Sequence, residues 1–382
     1  MDCNHLFSVI DELNNQYCDI WENVCNIESP TSHKQGIDAV GNIFIGLAKE
    51  RQMAVEVMEH DQAGNAICIT LNPESQERPV VFSGHIDTVH PVGLFGTPAV
   101  HRDQQCIYGP GVTDCKGGVV ASMMAMVALA QCGFQKRPVK LLIQTDEETD
   151  STNSEQQTIA FMLHAAKDAI AFLNTEVIQD NTVVLIRKGI LRYRFTVLGK
   201  AVHSAQCMDG ANAICEAAHK IIELETMKDP HGLTCNCGVI QGGTVPNSVA
   251  ESCEFVADIR FANNEQLQTA IELCEKVAQQ TTVTGCSCRL EKLSLRPAMP
   301  ITDQNVALLA KINKIYATCG LPCLTSRSCL SGSDAAYTTQ AGIPTVDNIG
   351  VRGHNIHSIR EFAYLDSLAA CAKRLDNVAM CI

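Results

Sequence analysis

Residues 79–93 read PVVFSGHIDTVHPVG, a short apolar run that ends in His85 and Asp87. Residues i and i+2 of a strand point the same way, so an imidazole and a carboxylate leave this run side by side. Metal-ligating imidazoles are oriented by such a pairing, in which the second ring nitrogen donates to a carboxylate. A lone histidine at a strand end is more often an ordinary hydrogen-bonded residue, so the reading depends on what else converges. YGPGVTDCKGG, residues 108–118, sets Asp114 and Lys116 among glycines just ahead of an apolar helix. A flexible turn explains that glycine density, and so does close approach of backbone to a site. LLIQTDEETDS ends another apolar run with Asp146, Glu147 and Glu148. Charge runs usually face solvent, but this one follows apolar strand residues, and adjacent carboxylates can divide the work of metal ligand and general base. AFLNTE ends a third run in Glu176, and GHNIHSIREF carries His354 and His357.

Two imidazoles and three or four carboxylates therefore come from five segments. Oxygen donors mixed with imidazole suit zinc, cobalt or manganese, whereas a thiolate-led site would have drawn on the cysteines. One metal needs about three protein ligands plus water, so this inventory is enough for two. The chemistry such a set supports is activation of water beside a polarised carbonyl.

The elements that must position these residues follow from hydrophobic periodicity. DAVGNIFIGLAKE and GGVVASMMAMVALAQCG have helical spacing, while PVVFSGHID, VKLLIQTD and AIAFLNTE read as buried strands. In open α/β sheets ligands bind beyond the carboxyl ends of the strands, which is where these three runs place their polar residues. From 189 to about 299 the pattern becomes βαββαβ, the ferredoxin-like order: RYRFTVLGK, ANAICEAAHKIIELE, LTCNCGVIQGG, VAESCEFVADIRF, NEQLQTAIELCEKVAQQ and CSCRLEKLSLR. From 300 onward the helix-rich α/β pattern resumes. The expected architecture is an α/β protein with a catalytic domain formed by 1–188 and 300–382 and an inserted domain at 189–299.

Composition bounds the partners. With 382 residues, 46% of them hydrophobic and 19% charged, the chain can bury a full core and is long enough for two domains. A net charge of −13 leaves no basic excess to neutralise phosphates, which argues against a nucleic-acid partner. The longest apolar run, VVASMMAMVALA, is too short to span a bilayer, so no membrane partner is expected. The acidic start MDCNHLFSVIDELNN lacks the layout of a signal peptide, and the 20 cysteines are scattered through apolar stretches. A reduced, cytoplasmic protein is expected. The pairs Cys235/Cys237 and Cys286/Cys288 have spacing narrower than usual for zinc, and read as small hydrophobes sharing a strand face.

The motifs GHIDTV, YGPGVTDCKGG, TDEE, GKAVHSA, PNSVAESCEFVADIR, RPA, SGSDAAY and the terminal HS, in that order and spacing, resemble those of the dinuclear zinc M20 peptidase family. Within it they resemble glutamate carboxypeptidases of the carboxypeptidase G type. The resemblance implies a zinc-peptidase-like α/β catalytic domain with an inserted ferredoxin-like dimerisation and lid domain. It implies two divalent metal ions per subunit, zinc with cobalt or manganese as alternatives. His85, Asp114 and Glu176 would hold one ion, and Asp114 would bridge to a second held by Glu148 and His357, with His357 preferred to His354. Glu147 would be the general base and Asp87 the orienter of His85. His203 would supply a donor to the oxyanion, and Asn247, Arg260 and Arg296 would hold substrate. Without the resemblance, Arg260 reads as a solvated strand end. A cis peptide bond after Asp114 and a homodimer are also implied. The implied reaction is hydrolysis of an amide bond next to a free carboxylate, in a small peptide or N-acyl amino acid. The alternatives are an N-acyl-amino-acid deacylase or desuccinylase, and a non-catalytic peptide-binding relative. Two departures from the family pattern stand out. Val177 rather than proline follows Glu176, and Asp150 and Asn153 replace glycines after the Glu-Glu pair. Asp and Asn tolerate left-handed backbone better than other non-glycine residues.

Overall fold

The computed structural model describes residues 2–382. In chain order the elements are α1 (Cys3–Asn26), α2 (Lys34–Glu50), β1 (Ala54–Met58), β2 (Ala66–Leu71), β3 (Val80–His85), β4 (His101–Arg102), β5 (Cys106–Tyr108), α3 (Lys116–Gln131) and β6 (Val139–Gln144). Next come α4 (Gln157–Ala165), β7 (Ala171–Asn174), β8 (Thr182–Arg187), β9 (Gly189–Leu198), α5 (Ala213–Leu224), β10 (Thr234–Gly242), β11 (Ser252–Phe261), α6 (Asn264–Gln279) and β12 (Ser287–Arg296). The last are α7 (Asp303–Thr318), β13 (Thr325–Cys329), α8 (Ala335–Gln340), β14 (Thr345–Val346), β15 (Gly353–His354), β16 (Phe362–Tyr364) and α9 (Asp366–Cys381). These elements form two compact units. Unit 1 takes the residues up to Leu185, Ile301–Ser328 and Tyr337–Ile382; unit 2 takes Ile186–Pro300 and Cys329–Ala336.

Unit 1 is built on a six-stranded sheet in the order β1-β2-β6-β3-β7-β14. The strands β6, β3, β7 and β14 run parallel, while β1 and β2 are antiparallel additions at one edge. Parallel strands are covered on both faces and so read as continuous apolar runs. In β3, Val80 and Phe82 enter the large core with α1, α3 and α9, while Val81 enters a second cluster with Ile159 and Met162 of α4. Helix α3 is apolar all round and buried from Lys116 to Leu129, as a helix packed on every side must be. Register aligns the strand ends, with His85 opposite Gln144 and Ser83 opposite Asn174. The polar residues that follow β3, β6 and β7 therefore emerge together. A small antiparallel sheet, β15-β16-β5-β4, carries the loop holding His357 and Glu361 between β15 and β16.

Unit 2 is a four-stranded antiparallel sheet in the order β10-β11-β9-β12. With α5 and α6 on one face, this is the ferredoxin-like arrangement, and its core holds Phe195, Phe255, Ile259, Ala217 and Cys274. The other face carries ion pairs, Arg192 with Asp258 at 2.8 Å and Arg194 with Glu254 and Glu291 at 3.2 Å each. Strand β10 is a free edge on which Val239 and Ile240 are exposed. The segment Cys329–Ala336, which includes most of SGSDAAY, also groups with unit 2. Arg187 fixes it by donating to the Ser331 hydroxyl at 2.8 Å and the Gly332 carbonyl at 2.9 Å, and Met299, Ala335 and Ala336 pack together.

Eighteen cysteines are free thiols. Cys3 and Cys319, whose Cα atoms lie 6.0 Å apart at the start of α1 and the end of α7, form a disulfide, an exception to the reduced reading. Cys235 lies in the core of unit 2, with Cys237 and Cys288 packed against it. Among the described residues no helix is long and apolar enough to cross a membrane.

Candidate metal centre

Five segments of unit 1 meet beyond the carboxyl ends of β3, β6 and β7. His85 closes β3 and is 2% exposed. Its Nε2 lies 3.1 Å from Asp114 Oδ1 and 3.5 Å from Glu176 Oε1. The other oxygen of Asp114, Oδ2, lies 3.2 Å from His357 Nε2, which is also 3.2 Å from Glu148 Oε2. Asp114 thus gives one oxygen to each of two ligand groups, as a bridging carboxylate would. His354, by contrast, lies in β15 among the aromatic rings of Phe362 and Tyr364.

Behind these donors sits Asp87, fully buried. Its Oδ1 lies 3.3 Å from His85 Nδ1 and accepts the Glu147 N–H at 3.2 Å. Its Oδ2 accepts the Glu148 N–H at 3.1 Å and the Thr31 hydroxyl at 2.7 Å. Asp87 thus faces His85 Nδ1 with its carbonyl at 3.0 Å as well as its carboxylate, and that carboxylate fixes the backbone of both glutamates, which begin a single 3-10 turn, Glu147–Thr149. That turn ends in Asp150 with φ +56°, a left-handed position filled without glycine. Asn153 does not adopt a positive φ; its side-chain oxygen accepts the Thr149 hydroxyl at 3.0 Å. Asp146 faces away from the donors and accepts Ser154 N–H and the Thr158 hydroxyl, each at 2.8 Å.

The Asp114 loop is held from below. Glu361, 2% exposed, accepts the backbone N–H groups of Gly111, Thr113 and Asp114 at 3.2, 2.9 and 3.1 Å. The peptide bond Asp114–Cys115 is cis. The glycines serve close packing of backbone on backbone. A Cβ at Gly118 would stand 2.1 Å from the Thr175 carbonyl, the residue before Glu176, and Gly111 has φ +72°. Sequence reasoning missed Glu361, although it lies in the HSIRE motif, and Thr31, for which no local signal existed. It also missed Cys115, whose sulfur groups with His85 and Glu176 and donates to the Thr175 carbonyl at 3.3 Å.

The electrostatics show what the donor set demands. Burial, reinforced by Asp114, pushes Glu148 up to about 8 and Glu176 up to about 7. Asp114 is held well below the carboxylate range, its own burial being outweighed by hydrogen bonds to His357 and His85. His357 is pushed up to about 11 by its hydrogen bonds to Asp114 and Glu148. The carboxylates and imidazoles therefore neutralise one another through shared protons, and divalent cations at the same place would displace those protons. His85, Asp114 and Glu148 form one group whose donor atoms lie within 4.8 Å of one another, and His85, Cys115 and Glu176 form another. By the distances above, His85 with Asp114 and Glu176, and His357 with Asp114 and Glu148, each join one imidazole to two carboxylates, a donor set that fits zinc, cobalt or manganese.

The other four expected residues belong to unit 2. His203 and Asn247 are exposed neighbours: His203 bridges Ser248, and Ser204 N–H donates to the Asn247 carbonyl at 2.9 Å. Arg260 is engaged with Asp258, Nε to Oδ1 at 2.7 Å and Nη2 to Oδ2 at 3.2 Å. Arg296 is 3% exposed, with Nη2 3.8 Å from Asp334 Oδ1.

Known proteins bear on this geometry. The model of the family described as Peptidase family M20/M25/M40 matches residues 81–380. Carboxypeptidase G2 of Pseudomonas sp. (strain RS-16) is 26% identical over 367 residues, covering 94% of this chain and 87% of its own. Among solved structures, a tripeptidase of Staphylococcus aureus subsp. aureus Mu50 superposes with a TM-score of 0.77 at 20% identity, covering 96% of this chain and 97% of its own. A dinuclear metal binding peptidase from Bacillus subtilis gives 0.70 at 14% identity, covering 97% and 98%.

Proposed function

Because the chain belongs to peptidase family M20/M25/M40, a family of hydrolases, we propose that it cleaves an amide bond next to a free carboxylate, as a carboxypeptidase or dipeptidase using two divalent cations. The observation that carries this reading is Asp114, whose two oxygens face His85 and His357 at 3.1 and 3.2 Å. His85, Asp114 and Glu176 would hold one cation and Asp114, Glu148 and His357 the other. Bound there, the two ions would lower the pKa of a shared water and polarise the scissile carbonyl.

The protein's own groups do the rest. Glu147, 9% exposed and tied through its N–H to Asp87, takes the proton of the attacking water and returns it to the leaving amine. Asp87 keeps His85 in one tautomer and keeps the glutamate pair in register. Following the resemblance, His203 donates to the developing oxyanion, and Asn247, Arg260 and Arg296 hold the substrate, a guanidinium being suited to a carboxylate. Unit 2 acts as the dimerisation and lid domain of a homodimer, consistent with the free edge of β10, since open edges invite pairing. The setting is cytoplasmic. A hydrolysis screen of C-terminal glutamyl peptides, other dipeptides and N-acyl amino acids on zinc-, cobalt- and manganese-loaded protein tests the reading. Turnover of peptides with a free C-terminus supports it. Turnover confined to N-acyl amino acids would make the protein a deacylase, and metal-independent turnover would refute the mechanism.

A further inference from the structure

Unit 2 contains a second group of metal-binding side chains, unconnected with the centre in unit 1. The donor atoms of Glu225, Cys235 and Cys237 lie within 4.8 Å of one another. From this geometry we infer that Glu225, Cys235 and Cys237 form a thiolate-rich site for a zinc-like divalent cation, stapling the end of α5 to the edge strand β10.

The local backbone is arranged for it. In a regular edge strand two cysteines at i and i+2 share a face, and their N–H groups point alike, both into the ladder or both away from it. Here β10 carries an irregularity, since Asn236 pairs Asp258 while Val239 pairs Val256. That leaves Cys237 and Gly238 opposite Ala257, the two-against-one count of a bulge. The Cys237 N–H, like that of Cys235, is not spent on β11 and donates to Glu225 Oε1 at 2.6 Å. Glu225, at the C-cap of α5, is thereby drawn to the two sulfurs. The turn from α5 into β10 is closed by Cys235 N–H donating to the Met227 carbonyl at 2.9 Å. Among the described residues, the pair Cys286/Cys288 gathers no such carboxylate. Spacing alone does not distinguish the two pairs.

Charge and dimensions agree with a cation. Lys228 donates to Glu225 Oε2 and, at 2.9 Å, to the Cys235 carbonyl. Two thiolates and one carboxylate carry three negative charges, which one divalent ion and the Lys228 ammonium would balance. Tetrahedral zinc, with Zn–S about 2.3 Å and Zn–O about 2.0–2.2 Å, sets its donors roughly 3.5–3.8 Å apart, within reach of small side-chain rotations. Cys235 is buried while Glu225 and Cys237 are half-buried, so an ion enters from the Glu225 side, with water as fourth ligand. Soft sulfur donors select zinc over magnesium, calcium or manganese.

Cobalt(II) separates this site from the other, because thiolate–cobalt charge transfer absorbs in the near ultraviolet. Reduced, metal-free full-length protein is titrated with Co²⁺. The band is expected in wild type and in H85A, whose loss disables the centre that includes Cys115. It is expected to vanish in C237S and to need more Co²⁺ in E225Q, which leaves both sulfurs in place and removes only the carboxylate ligand. Direct counting should show one fewer zinc equivalent in C237S than in wild type. No band in reduced wild type, a band that survives in C237S, or an unchanged cobalt affinity in E225Q would each overturn the site.

Discussion

Replacing Asp87 by asparagine separates a supporting group from a reacting one. The carboxylate accepts from Glu147 N–H on Oδ1 and from the Thr31 hydroxyl and Glu148 N–H on Oδ2, and lies 3.3 Å from His85 Nδ1, whose nearer partner is the Asp87 carbonyl at 3.0 Å. An amide of the same shape has one acceptor oxygen and an NH₂ group, so whichever way it turns, one backbone N–H, of Glu147 or of Glu148, loses its acceptor. A buried donor left unsatisfied costs about 1–3 kcal/mol. Thr31 can rotate its hydroxyl to accept instead and His85 Nδ1 keeps the Asp87 carbonyl, so the loss is about 1–3 kcal/mol for the one orphaned N–H. For the metals, losing the partner of a ligating imidazole costs about 10–100-fold in affinity, or about 1.4–2.7 kcal/mol. Zinc affinity measured by chelator competition, with kcat taken at increasing zinc, is the assay. D87N should bind zinc more weakly by that factor and recover most of its turnover at saturating metal. Unchanged zinc affinity together with an irrecoverable loss of kcat would refute the argument, since Asp87 would then act on the substrate or on the water.

Three other outcomes are expected. E147Q should lower kcat by about 10²–10⁴-fold, as expected for removal of a general base, with metal content retained by elemental analysis; loss of metal would make Glu147 a ligand. In unit 2, burial raises the Glu216 carboxyl but N–H donation from Val283 and the Lys220 ammonium more than offset it, so its pKa is lowered. A lowered carboxyl stabilises the fold above its unfolded pKa of about 4.3 and loses that contribution as pH falls through the folded value. Wild type should therefore lose denaturant stability on acidification more steeply than E216Q, and equal slopes would refute this. Asp376 in α9 is fully buried with neither oxygen partnered, and burial pushes its pKa well above the ordinary range. Its penalty grows as pH rises above about 3.9, so the nearly isosteric D376L should raise the thermal midpoint more at pH 7 than at pH 4.

How much of this was legible depends on the range of the interaction. Strand ends could be read because β3, β6 and β7 are apolar runs with polar stops, and parallel pairing then aligns those stops without further information. The βαββαβ order could be read because each element announces its own period. Contacts that close the site from a distance left no local sign. Thr31 reaches Asp87 because the chain at Pro30 lies beside Thr88, a pairing across 58 residues. Glu361 reaches the Asp114 loop from β16's side of the fold, and its motif said only that a carboxylate was present. The bulge in β10 was invisible for another reason: one extra residue in a ladder is defined by its partner strand, and CNCG alone reads as alternation.

Substrate recognition lies further from the sequence still, and charge counting shows why. Asp87, Asp114, Glu147, Glu148 and Glu176 bring five carboxylates to the centre, and two divalent cations would offset four of those charges. The remainder repels the free carboxylate that the proposed substrate carries, so a cationic residue outside the donor set has to supply the attraction. Sequence resemblance nominates Arg260 and Arg296 for that task, but each guanidinium has an acid close by, Asp258 at 2.7 Å and Asp334 at 3.8 Å. Whichever arginine recognises substrate must share its guanidinium between a carboxylate of the protein and one of the ligand, or exchange the first for the second. Arg260 sits on the half-buried open face of the sheet, where an ion pair is worth only about 0–1 kcal/mol, so its exchange is cheap. Arg296 is buried, where breaking a pair costs several kcal/mol unless the incoming carboxylate replaces it. R260K and R296K should therefore differ in kind. The first should raise KM modestly, and the second should impair folding stability as well as KM, read together from kinetics and thermal unfolding. Equal effects on both quantities would mean that neither arginine is set apart by its burial.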